Sequence, residues 1–285
     1  MQNRLVIGYD GSAASTSALR WTIAEAARRS ASVRVVASYA MPRVMEVYGI
    51  GVDDATPGDL ARLEASCRAE VQAAVEIALE EHPGVGLDFH VVNQEPASSL
   101  LAAGCDADLV VVGSNGLGAL KDYLFGSVLG TVLHECSCPV VVVPPHARPH
   151  IGRIAVGVDG SAASNEALAW AIDEADLRHA GLHVVHSWEY PYTSTVGGSA
   201  FAEVDAALVL EAAVDAAGAR LAGPVTRELR EASATDLLVE AGEEADLVVV
   251  GSRGRGGFRS ILLGSVAREV AAAATCPVCV IRHAS

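Results

Sequence analysis

The chain is short of the groups that bind polyanions. Its 285 residues carry 20 Lys and Arg against 35 Asp and Glu, a formal net charge of −15 at pH 7. Wrapping nucleic acid or docking on anionic lipid needs dense cationic charge, so the composition argues against both partners. Long apolar runs are missing too: no uninterrupted stretch approaches the ~20 residues that span a bilayer. Arg4 and Asp10 interrupt the first ten residues, which leaves no apolar core for a secretory signal. The expectation is a cytoplasmic protein that touches no membrane. Six cysteines are too few for a disulfide scaffold in a chain of this length, and the cytosol would keep them reduced. Aromatic residues make up only 5% of the chain, yet 51% of residues are hydrophobic, enough aliphatic side chains to fill two ordinary cores and to argue against disorder.

What the sequence does contain is a duplication, and an internal repeat governs every later assignment. The stretch Arg4-Leu-Val-Ile-Gly-Tyr-Asp10-Gly-Ser-Ala-Ala-Ser15 recurs as Arg153-Ile-Ala-Val-Gly-Val-Asp159-Gly-Ser-Ala-Ala-Ser164, and Trp21 recurs in register as Trp170. Ala107-Asp-Leu-Val-Val-Val-Gly113-Ser recurs as Ala245-Asp-Leu-Val-Val-Val-Gly251-Ser, followed in both copies by Gly-Ser-Val and Cys-Pro-Val. The interval from Asp10 to Gly113 exceeds that from Asp159 to Gly251 by 11 residues. The expected site of that difference is the loop after the second strand, where Arg43 to Gly58 is replaced by a shorter segment near Tyr192 to Ala200. Three prolines in Pro144-Pro-His-Ala-Arg-Pro-His150 mark a stiff linker, dividing the chain into domains over 1–147 and 148–285.

Within the first copy, Val-rich runs predict strands at Leu5–Tyr9, Val33–Tyr39, Leu87–Val92, Leu109–Gly113 and Val140–Val143. Helices are expected near Ser15–Ser30, Asp59–His82, Ala97–Ala103 and Ser127–Cys136, with Ser15 as N-cap of the first. Near-continuous apolar strands such as Leu109-Val-Val-Val belong to parallel sheets covered on both faces. The fold class is therefore α/β: two tandem doubly wound five-stranded parallel sheets. If the strand order is 3-2-1-4-5, strand order reverses between strands one and four, where such folds bind ligands. Asp10-Gly-Ser and Gly113-Ser-Asn-Gly follow those two strands, so the two repeated motifs converge on one cleft.

The second motif reads Gly113-x2-Gly116-x9-Gly126-Ser127 in the first copy and Gly251-x2-Gly254-x9-Gly264-Ser265 in the second. Glycines let a backbone approach a ligand closely, and the closing Gly-Ser opens a helix whose free N–H groups and positive dipole end attract phosphate. The Ser127 and Ser265 hydroxyls add hydrogen-bond donors. Neither loop has the Gly-Lys-Ser/Thr ending of a P-loop, and no Gly-x-Gly-x-x-Gly follows strand one. Asp10 and Asp159 would repel a triphosphate unless a Mg²⁺ bridged them. A structural alternative stands beside this: each Asp-Gly-Ser makes an Asx-turn at the start of the first helix. Tight strand-to-helix turns would likewise account for one glycine, though not for three at identical spacing in two copies.

These motifs resemble those of the universal stress protein family in its ATP-binding branch, over nearly the whole of both halves. The resemblance implies an adenine-nucleotide alpha-hydrolase-like fold and ATP with a divalent metal in each half. Asp10, Gly113, Gly116, Gly126 and Ser127 would hold one ATP, and Asp159, Gly251, Gly254, Gly264 and Ser265 a second. Adenine would sit near Ser38 and Ser187, with Asp10 and Asp159 as the metal ligands. It implies dimers made by pairing fifth strands, which in a tandem chain means an internal pseudo-dimer through Val140–Val143 and Val278–Ile281, with a homodimer of whole chains also open. The copies differ inside the loop: Asn115 and Lys121 in the first, Arg253, Arg255 and Arg259 in the second, where arginine adds phosphate contacts or makes a solvated basic face.

Other candidates read as structural. Cys276-Pro-Val-Cys279 enters a buried strand rather than opening a helix as a redox pair does, and Cys136 and Cys138 are taken the same way. The nine histidines show no metal-ligand spacing, and His186, matched by Ala37 in the first copy, reads as packing. Leu60, Leu63, Val71, Val75 and Leu79 form a core-facing helical stripe. No nucleophile–base pair recurs in both copies. The expectation is a non-enzymatic, nucleotide-dependent stress-response regulator. The alternatives are a slow ATPase or adenylyl-transfer enzyme of the same fold and a nucleotide-free interaction module.

Overall fold

The computed structural model describes residues 3–39, 57–114, 126–146, 150–189, 198–254 and 263–282. The first half runs β1 (Arg4–Gly8), α1 (Ala13–Arg29), β2 (Ser32–Ser38), α2 (Pro57–Leu79), β3 (Leu87–Val92), α3 (Pro96–Gly104), β4 (Leu109–Gly113), α4 (Ser127–Glu135) and β5 (Val140–Val143). The second runs β6 (Arg153–Gly157), α5 (Ala162–Arg178), β7 (Gly181–Trp188), α6 (Gly198–Gly218), β8 (Val225–Glu231), α7 (Ala234–Glu243), β9 (Leu247–Gly251), α8 (Ser265–Ala273) and β10 (Val278–Ile281). The connection from β2 to α2 covers 39–56 and that from β7 to α6 covers 189–197, which puts most of the length difference in the expected loop. Residues 40–56 and 190–197 of those connections lie outside the described residues.

Each half has the order expected from its sequence, and the two join: the sheet is ten-stranded, β3-β2-β1-β4-β5-β10-β9-β6-β7-β8. Every pairing inside a half is parallel, and the seam is antiparallel, with Val142 opposite Val278, Val141 opposite Cys279 and Val140 opposite Val280. Val140–Val143 and Val278–Ile281 are buried along their whole length, as strands covered on both faces should be. One core, containing Leu19 and Ile23 of α1, Val71 and Val75 of α2, and their second-half equivalents in α5 and α6, runs along one face of the sheet. A second core, built with α3, α4, α7 and α8, covers the other. Cys279 belongs to the first and Cys276 to the second, so this pair faces opposite sides of the sheet. Among the described residues no helix is long and apolar enough to cross a membrane.

One helix start differs from the sequence expectation. The N-cap of α1 is Ser12, not Ser15: the Ser12 hydroxyl accepts the Ser15 N–H at 3.1 Å. Ser15 is already inside the first turn, buried, with its own hydroxyl donating to the Ser12 carbonyl at 3.0 Å. Ser161 caps α5 in the same manner. A preceding Asx-turn, described below, fixes the cap three residues earlier than the hydrophobic periodicity suggests.

Where α1 and α5 meet across the seam, four charged side chains form a closed square. Arg29 bonds to Glu25 of its own helix at 2.5 Å and to Glu174 of the other half, while Arg178 bonds to Glu174 at 2.5 Å and to Glu25 at 2.7 Å. Both carboxylates are buried, Glu25 at 0% and Glu174 at 1% exposure. Each arginine also lies over the tryptophan of the opposite half, Arg29 over Trp170 at 5.6 Å and Arg178 over Trp21 at 5.4 Å. This gives the duplicated tryptophans a role in joining the halves. Burial pushes the Glu25 carboxyl up, but Arg178 and Arg29 outweigh it and hold the group below its ordinary value. Glu174 is raised, first by burial and then by the Glu25 charge, so the two carboxylates titrate as a coupled pair.

Removing Glu25 leaves two partly buried arginines sharing Glu174 alone, which costs far more than losing a surface pair. Glu25→Ala should lower the free energy of unfolding by about 3–5 kcal/mol in urea denaturation. A cost below about 1 kcal/mol, the range of exposed pairs, would show that the square contributes little.

Candidate functional site

The strand-one signature Asp-Gly-Ser is first of all a turn. Asp10 Oδ1 accepts the Ser12 N–H at 3.0 Å and Asp159 Oδ1 accepts the Ser161 N–H at 2.9 Å. Gly11 and Gly160 take φ of +79° and +77°, a backbone region that β-carbon-bearing residues avoid, so glycine is required between aspartate and capping serine. The Asx-turn alternative is thus realised. It engages Oδ1, and in the second half Oδ2 faces the glycine loop: a Cβ placed on Gly254 would stand 2.6 Å from Asp159 Oδ2. The Ser161 hydroxyl also reaches the Arg253 carbonyl at 3.5 Å. The convergence of the two motifs, inferred from strand order, is therefore visible as contact.

The glycines of the second motif do different jobs. At Gly113 a Cβ would meet the Ala14 carbonyl carbon and the Ser15 nitrogen at 2.8 Å, and at Gly251 it would meet the Ala163 carbonyl at 2.8 Å. These first glycines are demanded by the close packing of β4 on α1 and of β9 on α5, in addition to lining the clefts. Among the described residues a Cβ at Gly126 would touch nothing within 4 Å, and at Gly264 the nearest atom is the Ser252 carbonyl oxygen at 3.4 Å. Packing explains Gly113 and Gly251; it leaves Gly126 unexplained. Gly116, Asn115, Lys121, Arg255 and Arg259 lie outside the described residues.

Gly126 and Gly264 are the N-caps of α4 and α8, and neither helix has a side-chain cap. By contrast α1 and α5 are capped by serine and α3 by Glu95, while α7 also lacks a side-chain cap bond at Ser233. Among the described residues no side chain caps the first N–H groups of α4 and α8, which stand beside the clefts and next to exposed Ser127 and Ser265. That end of a helix attracts anions. In the second half the Ser252 hydroxyl, buried just after β9, has no hydrogen-bond partner.

A cleft of about 300 Å³ in the first half is lined by Asp10, Ser38, Gly113, Gly126 and Ser127, with Val36 and Leu100 supplying apolar walls. Its counterpart of about 870 Å³ is lined by Asp159, Ser187, Gly251, Arg253, Gly254, Gly264 and Ser265, with Val185 and Leu238 as walls. Both volumes fall in the range of small-molecule sites. Two residues not singled out from the sequence as site residues line the larger cleft, His186 and Glu189. His186 is buried, with Nδ1 at 2.5 Å from the Val158 carbonyl oxygen. A carbonyl only accepts, so Nδ1 carries the proton. Its departure from Ala37 in the other copy was the available signal. Among the described residues no three His, Cys, Asp or Glu gather closely enough to hold a metal by themselves.

An open α/β sheet whose two repeated motifs meet at each switch point defines a duplicated, doubly wound α/β protein. The universal stress protein family profile matches residues 1–144 and 150–282. A universal stress protein of Mycolicibacterium smegmatis is 35% identical over 98% of this chain and 96% of its own length. One from Mycobacterium tuberculosis is 33% identical over 99% of this chain and 98% of its own. The solved structure of a universal stress protein from Archaeoglobus fulgidus superposes with a TM-score of 0.71 at 20% identity, covering all of both chains. The chain belongs to the universal stress protein family.

The division of labour among the glycines predicts opposite responses to the same change. Gly251→Ala should destabilise by about 1–3 kcal/mol, because the added methyl overpacks against the α5 backbone. Gly126→Ala should alter the urea midpoint by less than about 0.5 kcal/mol equivalent. Equal losses in the two variants would contradict the assignment.

Proposed function

We propose that each half binds one adenine nucleotide, and that occupancy of the two clefts, rather than turnover, is what the protein reports in a stress response. The observation that carries this reading is the pair of uncapped helix N-termini, at Gly126-Ser127 and Gly264-Ser265, each facing a strand-one aspartate across an apolar-walled cleft. Phosphates would sit at those helix ends, where N–H groups and dipole favour negative charge. The adenine would lie between the apolar walls near Ser38 and Ser187.

A divalent cation such as Mg²⁺ would neutralise triphosphate charge beside Asp10 and Asp159. Hard oxygen ligands suit it, and phosphate oxygens would complete its shell where the protein offers one carboxylate. The sequence supplies no repeated nucleophile–base pair to hydrolyse or transfer a phosphoryl group, which favours binding over catalysis. The second cleft would bind more tightly, because Arg253 lines it and adds a charge-assisted contact.

Titration calorimetry with ATP and Mg²⁺ should give two sites per chain. Asp159→Ala should weaken the tighter site at least tenfold, and Gly254→Glu should abolish it, since any side chain there collides with Asp159. Two undiminished sites in both variants would contradict the reading. Release of pyrophosphate or rapid ADP formation in a single turnover would favour an enzyme instead.

A further inference from the structure

The cysteines of this chain do not all behave as core fillers. Cys136 and Cys138 are separated only by Ser137, at the joint where α4 ends and β5 begins, and their Sγ atoms stand 3.4 Å apart. Cys136 is the C-cap of α4 in an extended conformation, φ −62° and ψ 135°, and the bend that follows brings the two side chains together. Cys136 is buried at 2% exposure, whereas Cys138 is partly exposed, so one sulfur sits in the core and its neighbour is reachable from solvent. A disulfide needs about 2.05 Å between sulfurs, so bond formation would close the remaining gap between the two sulfurs.

We propose that Cys136 and Cys138 are a reversible dithiol–disulfide site oxidised by a small hydroperoxide. The duplication isolates the feature. Cys138 corresponds to Cys276 of the second copy, but the position of Cys136 is Ala274 there. The fold therefore needs only one of the two sulfurs, and the other is an addition of the first half. The contact with the Cys138 side chain lowers the Cys136 pKa to about 7 in spite of burial, with neighbouring backbone N–H groups and the Arg282 guanidinium assisting. The same contact, followed by burial, pushes Cys138 up. In this proposal Cys136, the more acidic sulfur, is the nucleophile and the more exposed Cys138 the resolving thiol.

The Cys136 thiolate attacks one peroxide oxygen, the O–O bond breaks, and the departing hydroxide takes a proton to become water, leaving a sulfenic acid on Cys136. The Cys138 sulfur then displaces hydroxide from the Cys136 sulfur, and its own proton leaves with that hydroxide as a second water. Two thiols lose two electrons in all, and one hydroperoxide is reduced. The bond would form beneath a contact between the halves. Arg282, which follows β10, donates through Nη1 to the carbonyls of His134 and Cys136 at 2.7 and 2.9 Å. The inference is independent of nucleotide binding.

The test treats the reduced full-length chain with hydrogen peroxide, then blocks free thiols and maps tryptic peptides. Both cysteines fall in one peptide, Asp122–Arg153, because the Arg148–Pro149 bond resists trypsin. It should lose two hydrogens in mass, resist alkylation and regain both thiols with dithiothreitol. Cys138→Ser should instead leave Cys136 as a sulfenic acid that a cyclic 1,3-dione traps. Cys136→Ala, which copies Ala274 and so preserves the fold, should abolish both products. The proposal is overturned if this peptide stays in the dithiol form while exposed Cys105 is oxidised, or if Cys136 pairs with any cysteine other than Cys138.

Discussion

The antiparallel pairing of β5 with β10 is the constraint on which the rest of the molecule depends. Each half taken alone would end its sheet in a strand of four buried residues, all of them apolar, and an exposed edge of that kind recruits other chains. Joining the two edges removes both. The edges that remain are β3 and β8, whose strands alternate with exposed polar residues such as Asp88, His90, Thr226 and Arg227. The seam also brings α1 against α5, and there the square of Glu25, Arg29, Glu174 and Arg178 closes over Trp21 and Trp170. Such a network is a weak source of net stability, yet it tolerates only one relative placement of the helices. It is a device for register between the halves.

With the sheet continuous, the two switch points are fixed by the same framework, and the sites inherit the same turn and helix starts around clefts of different size. Strand-one aspartate, positive-φ glycine and capping serine form one turn in each half, and the glycine following the fourth strand packs against the helix that turn begins. One residue set thus serves both folding and site construction. The copies diverge where the framework does not constrain them: His186 replaces Ala37, and Arg253 occupies the loop where Asn115 stands in the first. Divergence on a common scaffold is the arrangement expected if two sites answer to different nucleotide concentrations.

Much of this was legible in the sequence because it is written twice. The strands and the placement of both motifs followed from Val-rich runs and from the spacing of Asp10, Gly113 and their repeats, the order 3-2-1-4-5 was assumed for a doubly wound sheet, and the pairing of the fifth strands came from the family resemblance. The cap of α1 was misplaced by three residues, since Ser12 and Ser15 are equally good capping residues and only the Asx-turn chooses between them. The charge square was invisible. Glu25 and Arg29 at i,i+4 spacing look like any solvated helical pair, and their burial comes from a helix 145 residues away in the chain. The packing role of Gly113 and Gly251 was hidden for the same reason, as it depends on a neighbour distant in sequence.

The central claim is that the bare N-termini of α4 and α8 receive phosphate. Backbone amide NMR of the ¹⁵N-labelled chain tests it most directly, by following residues as ATP and Mg²⁺ are added. The account predicts large shifts for the amides of Ser127 and Val128 and of Ser265 and Val266, with little change at Glu25 and Glu174 near the opposite ends of α1 and α5. Saturating nucleotide that leaves the α4 and α8 amides unmoved would contradict it.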